Sequence, residues 1–225
     1  MSSFSSIEAR AIDRHGADAL AARLVTPASD DALRNLSDDR YLSVMTMRVF
    51  SAGFRWSVIQ SKWEGFEEAF QHFDPEEVAQ YEAAEIAALA QDPRIVRNRP
   101  KILATVDNAA FVARTSAEHG GFGHFIASWP STDIVGLWHH LKTHGNRLGG
   151  DTGAWFLRLV GKDTFRLSKD VQAALIEAGV LTKPATSKGA QRRVQEAMNA
   201  WAEETGRPLC QLSTILACST GEVYP

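Results

Sequence analysis

Apolar residues recur at three- and four-residue intervals along almost the whole chain, as in Ala84, Ile86, Ala87, Leu89 and Ala90, or Ile102, Val106, Ala109, Ala110 and Ala113. Strand-like alternation is nearly absent, so the periodicity predicts an all-α protein of about ten helices. Punctuation supports this. Ser37-Asp38-Asp39 caps a helix through Phe50, Asp74-Pro75-Glu76-Glu77 puts proline at a first helical position, and Asp92-Pro93 closes the helix before it. A long helix from about Pro100 to Glu118 ends at His119-Gly120-Gly121. Further helices are expected from Asp133 to Lys142, Asp151 to Val160, Ser168 to Ala178, Gly189 to Thr205 and Leu209 to Cys218.

At 225 residues the chain is long enough to bury a sizeable core without a covalent staple. With 24 Lys plus Arg against 27 Asp plus Glu, the net charge of -3 excludes a charge-driven nucleic-acid coat. Contact with DNA then requires a local patch, and Arg94, Arg97, Arg99 and Lys101 form the densest basic series, readable equally as a solvated helix start. The cysteines, Cys210 and Cys218, are too few for a disulfide framework and lack zinc-site spacing, so a reduced, cytoplasmic setting is expected. No window approaches a membrane span, and the start, with Ser2, Ser3, Ser5 and Ser6, reads as a frayed end. The loop Leu181 to Lys188 reads as a mobile linker.

Between two helical patterns lies His144-Gly145-Asn146-Arg147-Leu148-Gly149-Gly150-Asp151-Thr152-Gly153, running into Ala154-Trp155-Phe156-Leu157. Such a hairpin lets backbone N–H groups at a helix N-terminus meet an anion, and Arg147 and Lys142 add positive charge. Arg147, Gly149, Gly150 and Thr152 are therefore candidate DNA-backbone contacts in a helix-hairpin-helix, alongside Arg97, Arg99 and Lys101. A plain Gly-rich connection with no ligand fits the same residues.

Ala52-Gly53-Phe54-Arg55-Trp56, then Val58, Lys62, Phe66, Ala69-Phe70, Phe73-Asp74-Pro75 and Val78-Ala79, resembles the corresponding block of the bacterial 3-methyladenine DNA glycosylase I family. The similarity continues through Ile95 to Ile102 and Asn108-Ala109, covering about residues 38 to 130, and later helices resemble the wider helix-hairpin-helix superfamily. The resemblance implies a glycosylase-like unit over 1–225, with an N-terminal helical extension (1–36), a core carrying a base pocket (37–130) and a hairpin-containing helical part (131–225), in two interlocked subdomains. It also implies a damaged base taken out of double-stranded DNA, a monomer, no cofactor and no membrane. Trp56 matches the tryptophan expected to stack on the base; a core tryptophan is its plain alternative. His124 and Trp129 are further pocket candidates, and the pair His140 and His144, after Trp138-His139, reads as packing or surface rather than a metal face.

Three departures accompany the resemblance. The family's base-recognising glutamate falls on Arg48, which offers only donors and repels a cation, so base preference has changed, or Arg48 reaches a phosphate, or alkylpurines are no longer handled; a helix-end contact with carbonyls is the bland reading. Residues 1–40 hold only His15 and no cysteine, so the family's zinc is not expected, and Ile7, Ile12, Leu20 and Leu24 are read as apolar packing in its place. Thr152 follows Asp151 rather than a lysine, so no Schiff base is expected and any reaction is monofunctional hydrolysis. The superfamily aspartate position falls near Ser168, leaving Asp170 and Asp163 as catalytic candidates, with Asp170 also readable as a first-turn carboxylate facing a helix dipole. The leading expectation is hydrolysis of an alkylated-purine glycosidic bond with altered base recognition. A catalytically silent relative that recognises distorted DNA is the alternative, and an all-α interaction module using Trp63, Trp138 and Trp201 is a third.

Overall fold

A computed structural model describes residues 3–220, and their elements are helical. In chain order they are α1 (Phe4–His15), α2 (Ala17–Ala21), α3 (Asp30–Asn35), α4 (Asp38–Ser51), α5 (Trp56–Gln60), α6 (Trp63–Ala69), α7 (Pro75–Ala79), α8 (Ala83–Leu89), α9 (Arg99–His119) and α10 (Phe122–Ser128). They continue with α11 (Ile134–His144), α12 (Asp151–Leu159), α13 (Lys169–Glu177), α14 (Lys188–Thr205) and α15 (Leu209–Ser219), with 3-10 turns at Gln71–Phe73 and Ser131–Asp133. The all-α expectation holds, but the 15 helices exceed the expected ten because short helices replace single long ones.

One break is conformational. Gln71, His72 and Phe73 have φ of 50°, 52° and 63°, a left-handed run that costs non-glycine residues roughly 1–2 kcal/mol each. Tertiary contacts hold it: Phe73 is fully buried, stacked on Trp63 at 5.4 Å and Phe70 at 5.6 Å, and Arg40 Nη2 donates to the His72 carbonyl at 2.8 Å.

The chain forms two compact units. The core unit comprises Ser29–Trp129 and Leu137–Lys162; the terminal unit comprises Met1–Ala28, Pro130–Gly136 and Asp163–Pro225. The hairpin thus belongs with residues 29–129, whereas the sequence grouping put it with 131–225. Burial explains the difference, because Leu148, Ala154, Phe156 and Leu157 are buried and Phe156 packs edge-on against Tyr41 of α4 at 6.3 Å.

In the core unit a ladder of near-parallel rings, Trp63, Phe66, Phe70 and Tyr81, fills the space under α4 and α9. In the terminal unit, α1 packs on α15 through Phe4, Ile7 and Ala11. Phe4 lies 5.5 Å from Trp201, and Glu8 pairs with Arg207 at 2.7 Å. The expected frayed start is therefore helical from Phe4, with Ser5 and Ser6 inside α1; Ser2 lies outside the described residues. Of the apolar residues read there, Ile7 and Leu20 are buried and Ile12 is exposed. The loop expected to be a mobile linker is anchored: Leu181 and Ala185 are buried, and the Ala185 N–H donates to Gln172 Oε1 at 2.9 Å.

Glu67 ties α6 to α4. Its carboxylate accepts both Arg40 Nη groups at 2.9 Å, the Ser43 hydroxyl at 2.9 Å and Trp63 Nε1 at 3.1 Å. Burial alone would raise its pKa, but the hydrogen bonds from Arg40, Ser43 and Trp63 outweigh that and hold it below 4.5. A lowered carboxyl pKa contributes stability that is present above the unfolded value and lost as pH falls through the folded one. Glu67→Gln is expected to cost about 1–2 kcal/mol at neutral pH. Urea midpoints should show the gap to wild type closing in acid, and an unchanged gap would contradict the assignment.

Candidate nucleic-acid interface and base pocket

The site is organised by α9, whose buried face carries three polar side chains. Lys101 is 6% exposed, and Thr105 and Asn108 are fully buried. Their spacing puts them along one face of the helix. Lys101 sits in the first turn of α9, the unfavourable end for a cation, yet its ammonium reaches the favourable end of α4. Lys101 Nζ donates to the Phe50 carbonyl at 2.9 Å and the Ala52 carbonyl at 2.5 Å, and lies 4.6 Å from the Phe54 ring centroid. Two carbonyls left over at the end of α4 are thereby satisfied. Desolvation, with a smaller push from Arg147, lowers the Lys101 pKa below 10.5. Lys101 is therefore a structural cap, which corrects its expected place in a DNA-facing patch. Arg94 also leaves that patch, paired with Asp92 at 2.7 Å and Glu68 at 2.9 Å, while Arg97 and Arg99 are exposed.

The capped turn after α4 projects an apolar tip on which Phe54 is 41%, Trp56 38% and Val58 40% exposed. Trp56 opens α5 and is not a core tryptophan. Arg48, in the last turn of α4, places its guanidinium carbon 5.9 Å from the Trp56 ring centroid and 5.2 Å from that of Trp155 on α12. Arg48 and Trp56 are thus brought together as expected, and Trp155 is a third member that sequence reasoning missed. Trp129 belongs instead to a cluster with Phe125 at 5.7 Å and His140 at 5.5 Å, and His124 is exposed on α10. His140 also lies 4.2 Å from His144, and burial, then His144, His119 and Arg114, lowers its pKa, which suits a neutral packing role. Among the described residues no group of three or more potential ligands is assembled for a metal.

The hairpin between α11 and α12 is locked to α9. Asn108 Nδ2 donates to the Asn146 carbonyl at 3.1 Å, its Oδ1 accepts the Asn146 N–H at 2.7 Å, and Asn146 Nδ2 reaches Asp107 at 2.6 Å. Asn108 was hidden in an apolar stripe, where only its polarity marked it. Gly150 precedes α12 with φ of 62°, and at Gly153 a Cβ would lie 2.5 Å from the Leu148 carbonyl oxygen, so both positions suit glycine. Arg147 is exposed at φ of 60°, and Thr152 is half-buried in the first turn of α12. Arg147, Gly149, Gly150 and Thr152 therefore share one short loop and helix start.

The aspartates lie in the terminal unit. Asp163 caps α15, its two carboxylate oxygens accepting the N–H groups of Leu209 at 3.0 Å and Cys210 at 2.9 Å. Asp170 is exposed in the first turn of α13.

A methyladenine glycosylase family model matches residues 32–146. The chain belongs to this family. Its matched segment contains Arg48, Trp56, Lys101 and Asn108, and ends inside the hairpin. The chain is 37% identical over 79 residues to a DNA-3-methyladenine glycosylase of Haemophilus influenzae, and 32% identical over 78 residues to DNA-3-methyladenine glycosylase 1 of Escherichia coli K12. Each alignment covers 35% of this chain and 42% of the relative. A variant of 3-methyladenine DNA glycosylase I from Staphylococcus aureus superposes with a TM-score of 0.50 at 29% identity, over 56% of this chain and 77% of that one. An 8-oxoguanine DNA glycosylase from Methanocaldococcus jannaschii superposes over 93% of this chain and 89% of that one, with a TM-score of 0.52 at 14% identity. The fold is that of the helical, helix-hairpin-helix DNA glycosylases.

Two substitutions test the α9 scaffold. Asn108→Ala leaves the Asn146 N–H and carbonyl without their partner and should cost about 2–3 kcal/mol, read by urea unfolding. Lys101→Met removes the cap from two carbonyls and should cost about 1–3 kcal/mol. If Lys101 faced DNA instead, this variant would keep wild-type stability and lose only duplex affinity.

Proposed function

We propose that the chain is a monofunctional DNA N-glycosylase of base-excision repair, acting as a monomer in the cytoplasm on double-stranded DNA that carries a damaged purine, with base recognition altered from that of its family. The half-open cluster of Arg48, Trp56 and Trp155 is the observation that carries this reading. Exposed indole faces beside a polar group are what a base removed from its stack requires. Phe54, exposed at the same tip, suits packing against an unstacked base step. His124, exposed on α10, and Trp129, packed with Phe125 and His140, are not assigned to this cluster.

The backbone grip falls to the start of α12. The helix N-terminus and its positive dipole end at Gly149, Gly150 and Thr152 favour a phosphate, and the exposed Arg147, Arg97 and Arg99 supply cations. This local charge suits a chain of net charge -3. Hydrolysis adds water oxygen to the sugar C1′ while the C1′–N electron pair leaves with the base; the water's proton ends on a base that departs as an anion, or in solvent where a cationic alkylated purine departs neutral. Asp151 precedes Thr152, so no lysine is placed to form a Schiff base. Of the candidate aspartates, Asp170 keeps an exposed carboxylate for a sugar cation or water, while Asp163 is held as a cap. A silent DNA-binding relative is the second reading, favoured by Arg48 in place of a carboxylate.

Incubation with duplexes carrying single damaged purines should yield abasic sites with the strands uncut and no borohydride-trapped adduct. A trapped adduct refutes the monofunctional assignment. Binding without any base release leaves the silent reading. Replacing Arg97, Arg99 and Arg147 by alanine should flatten the dependence of log K on log salt by about 0.9 per lost phosphate contact. An unchanged slope would move the backbone grip elsewhere.

A further inference from the structure

We infer that the paired rings of His140 and His144 form a proton-operated switch at the root of the hairpin, loosening its hold on a DNA backbone when acid charges both; the inference rests on the backbone-binding reading above. The two residues stand one helical turn apart at the end of α11, with ring centroids 4.2 Å apart and planes inclined by 32°. Around His140 the rings of Phe125, Trp129 and Phe111 lie at 5.0, 5.5 and 6.0 Å, and Phe111 also stacks on His144 at 6.4 Å. His140 is half-buried among them, and His144 is exposed. All of these residues belong to the core unit.

Neutral imidazoles pack at this separation without conflict. An imidazolium spreads its charge over the whole ring, so two charged rings here repel across about 4 Å, the range over which an ion pair attracts. A proton on exposed His144 keeps its water and faces the negative end of the helix dipole, whereas one on His140 is screened from water by aromatic rings. Burial first, then His144 on its own helix and His119 and Arg114 of α9, oppose a charge on His140, and Glu118 of α9 favours it. From α10 and the residue after it come the uncharged rings of Phe125 and Trp129. The net effect holds the His140 pKa below 6.5. A histidine with a lowered pKa binds fewer protons folded than unfolded, so its stabilising contribution is present above 6.5 and is lost as pH falls from there through the folded value.

The hairpin has no slack to absorb a movement of that turn. Gly145 follows His144 directly and donates its N–H to the Leu141 carbonyl at 2.9 Å; a Cβ on it would lie 3.0 Å from that carbonyl oxygen and 3.1 Å from Asn108 Oδ1. Asn146 comes next, held by Asn108 through both its N–H and its carbonyl. Driving His144 away from His140 therefore strains the Asn108 lock and shifts loop 147–150, which leads into α12.

The full chain is titrated with an undamaged duplex at pH 7.5 and 5.5 at constant ionic strength, and hydrogen exchange at the Asn146 amide is followed at both without DNA. His140→Phe keeps a ring in the cluster and removes one charge; His144→Gln, at an exposed position, removes the other. At pH 7.5 both variants should bind the duplex within about twofold of wild type. On moving to pH 5.5, wild type should lose at least about fivefold more affinity than either variant. Its Asn146 protection factor should fall at least about tenfold over the same interval and hold steady in the variants. Equal pH dependence in all three proteins overturns the inference. A gain of affinity in acid by wild type alone also overturns it, since the histidinium charges then attract phosphate directly. If no duplex binds at either pH, the backbone-binding reading falls, and the switch stands or falls on the Asn146 amide.

Discussion

A buried ammonium holds this site together. Lys101 reaches from the start of α9 to the end of α4 and completes the Phe50 and Ala52 carbonyls. Without that partner the chain leaving α4 would carry buried acceptors, and the turn that lifts Phe54 and Trp56 toward solvent would have no fixed direction. Asn108 lies seven residues further along, about 10 Å up the axis, and fastens the hairpin by two hydrogen bonds. One helix therefore sets the relation between the exposed Phe54–Trp56 tip and the hairpin between α11 and α12 within the core unit. Lys162 repeats the device at the end of α10, donating to the Trp129 carbonyl at 2.6 Å and the Ala127 carbonyl at 3.2 Å.

These buried cations explain why charge was the least legible part of the sequence. Arg94, Arg97, Arg99 and Lys101 sit within eight positions and read as one basic patch, yet they have three fates in the structure: ion-paired, exposed and buried. Composition registers only that a residue is charged. Whether its charge faces water depends on which carbonyls or carboxylates another element brings beside it, and those partners are remote in sequence, as Lys101 is from Phe50.

The helical period and its caps were legible because they are local. Asp74 accepts the N–H groups of Glu76 and Glu77 ahead of Pro75–Ala79, and Gly120 closes α9 in the left-handed conformation, as their residue types require. The left-handed run Gln71–Phe73 was not legible, since nothing in three ordinary residues announces it; buried ring stacking and Arg40 impose it from outside. The same contrast governs the site. Trp56 and Arg48 stand eight positions apart and are read together, whereas Trp155 joins them only because α12 packs on α4.

A scaffold of this kind is separable from the chemistry it carries, and position 48 is where the proposed function places that separation. The cap, the aromatic ladder and the Asn108 lock make no use of the side chain at position 48, so exchanging its charge leaves the fold's principal supports in place. A cation beside indoles is stabilised by their ring faces, which a carboxylate is not, and two tryptophans flank it here. The substitution therefore fits its surroundings: the aromatic walls that suit a stacked base also suit a guanidinium. On the glycosylase reading proposed above, a guanidinium at this position offers only hydrogen-bond donors where the family resemblance implies a carboxylate, which accepts them.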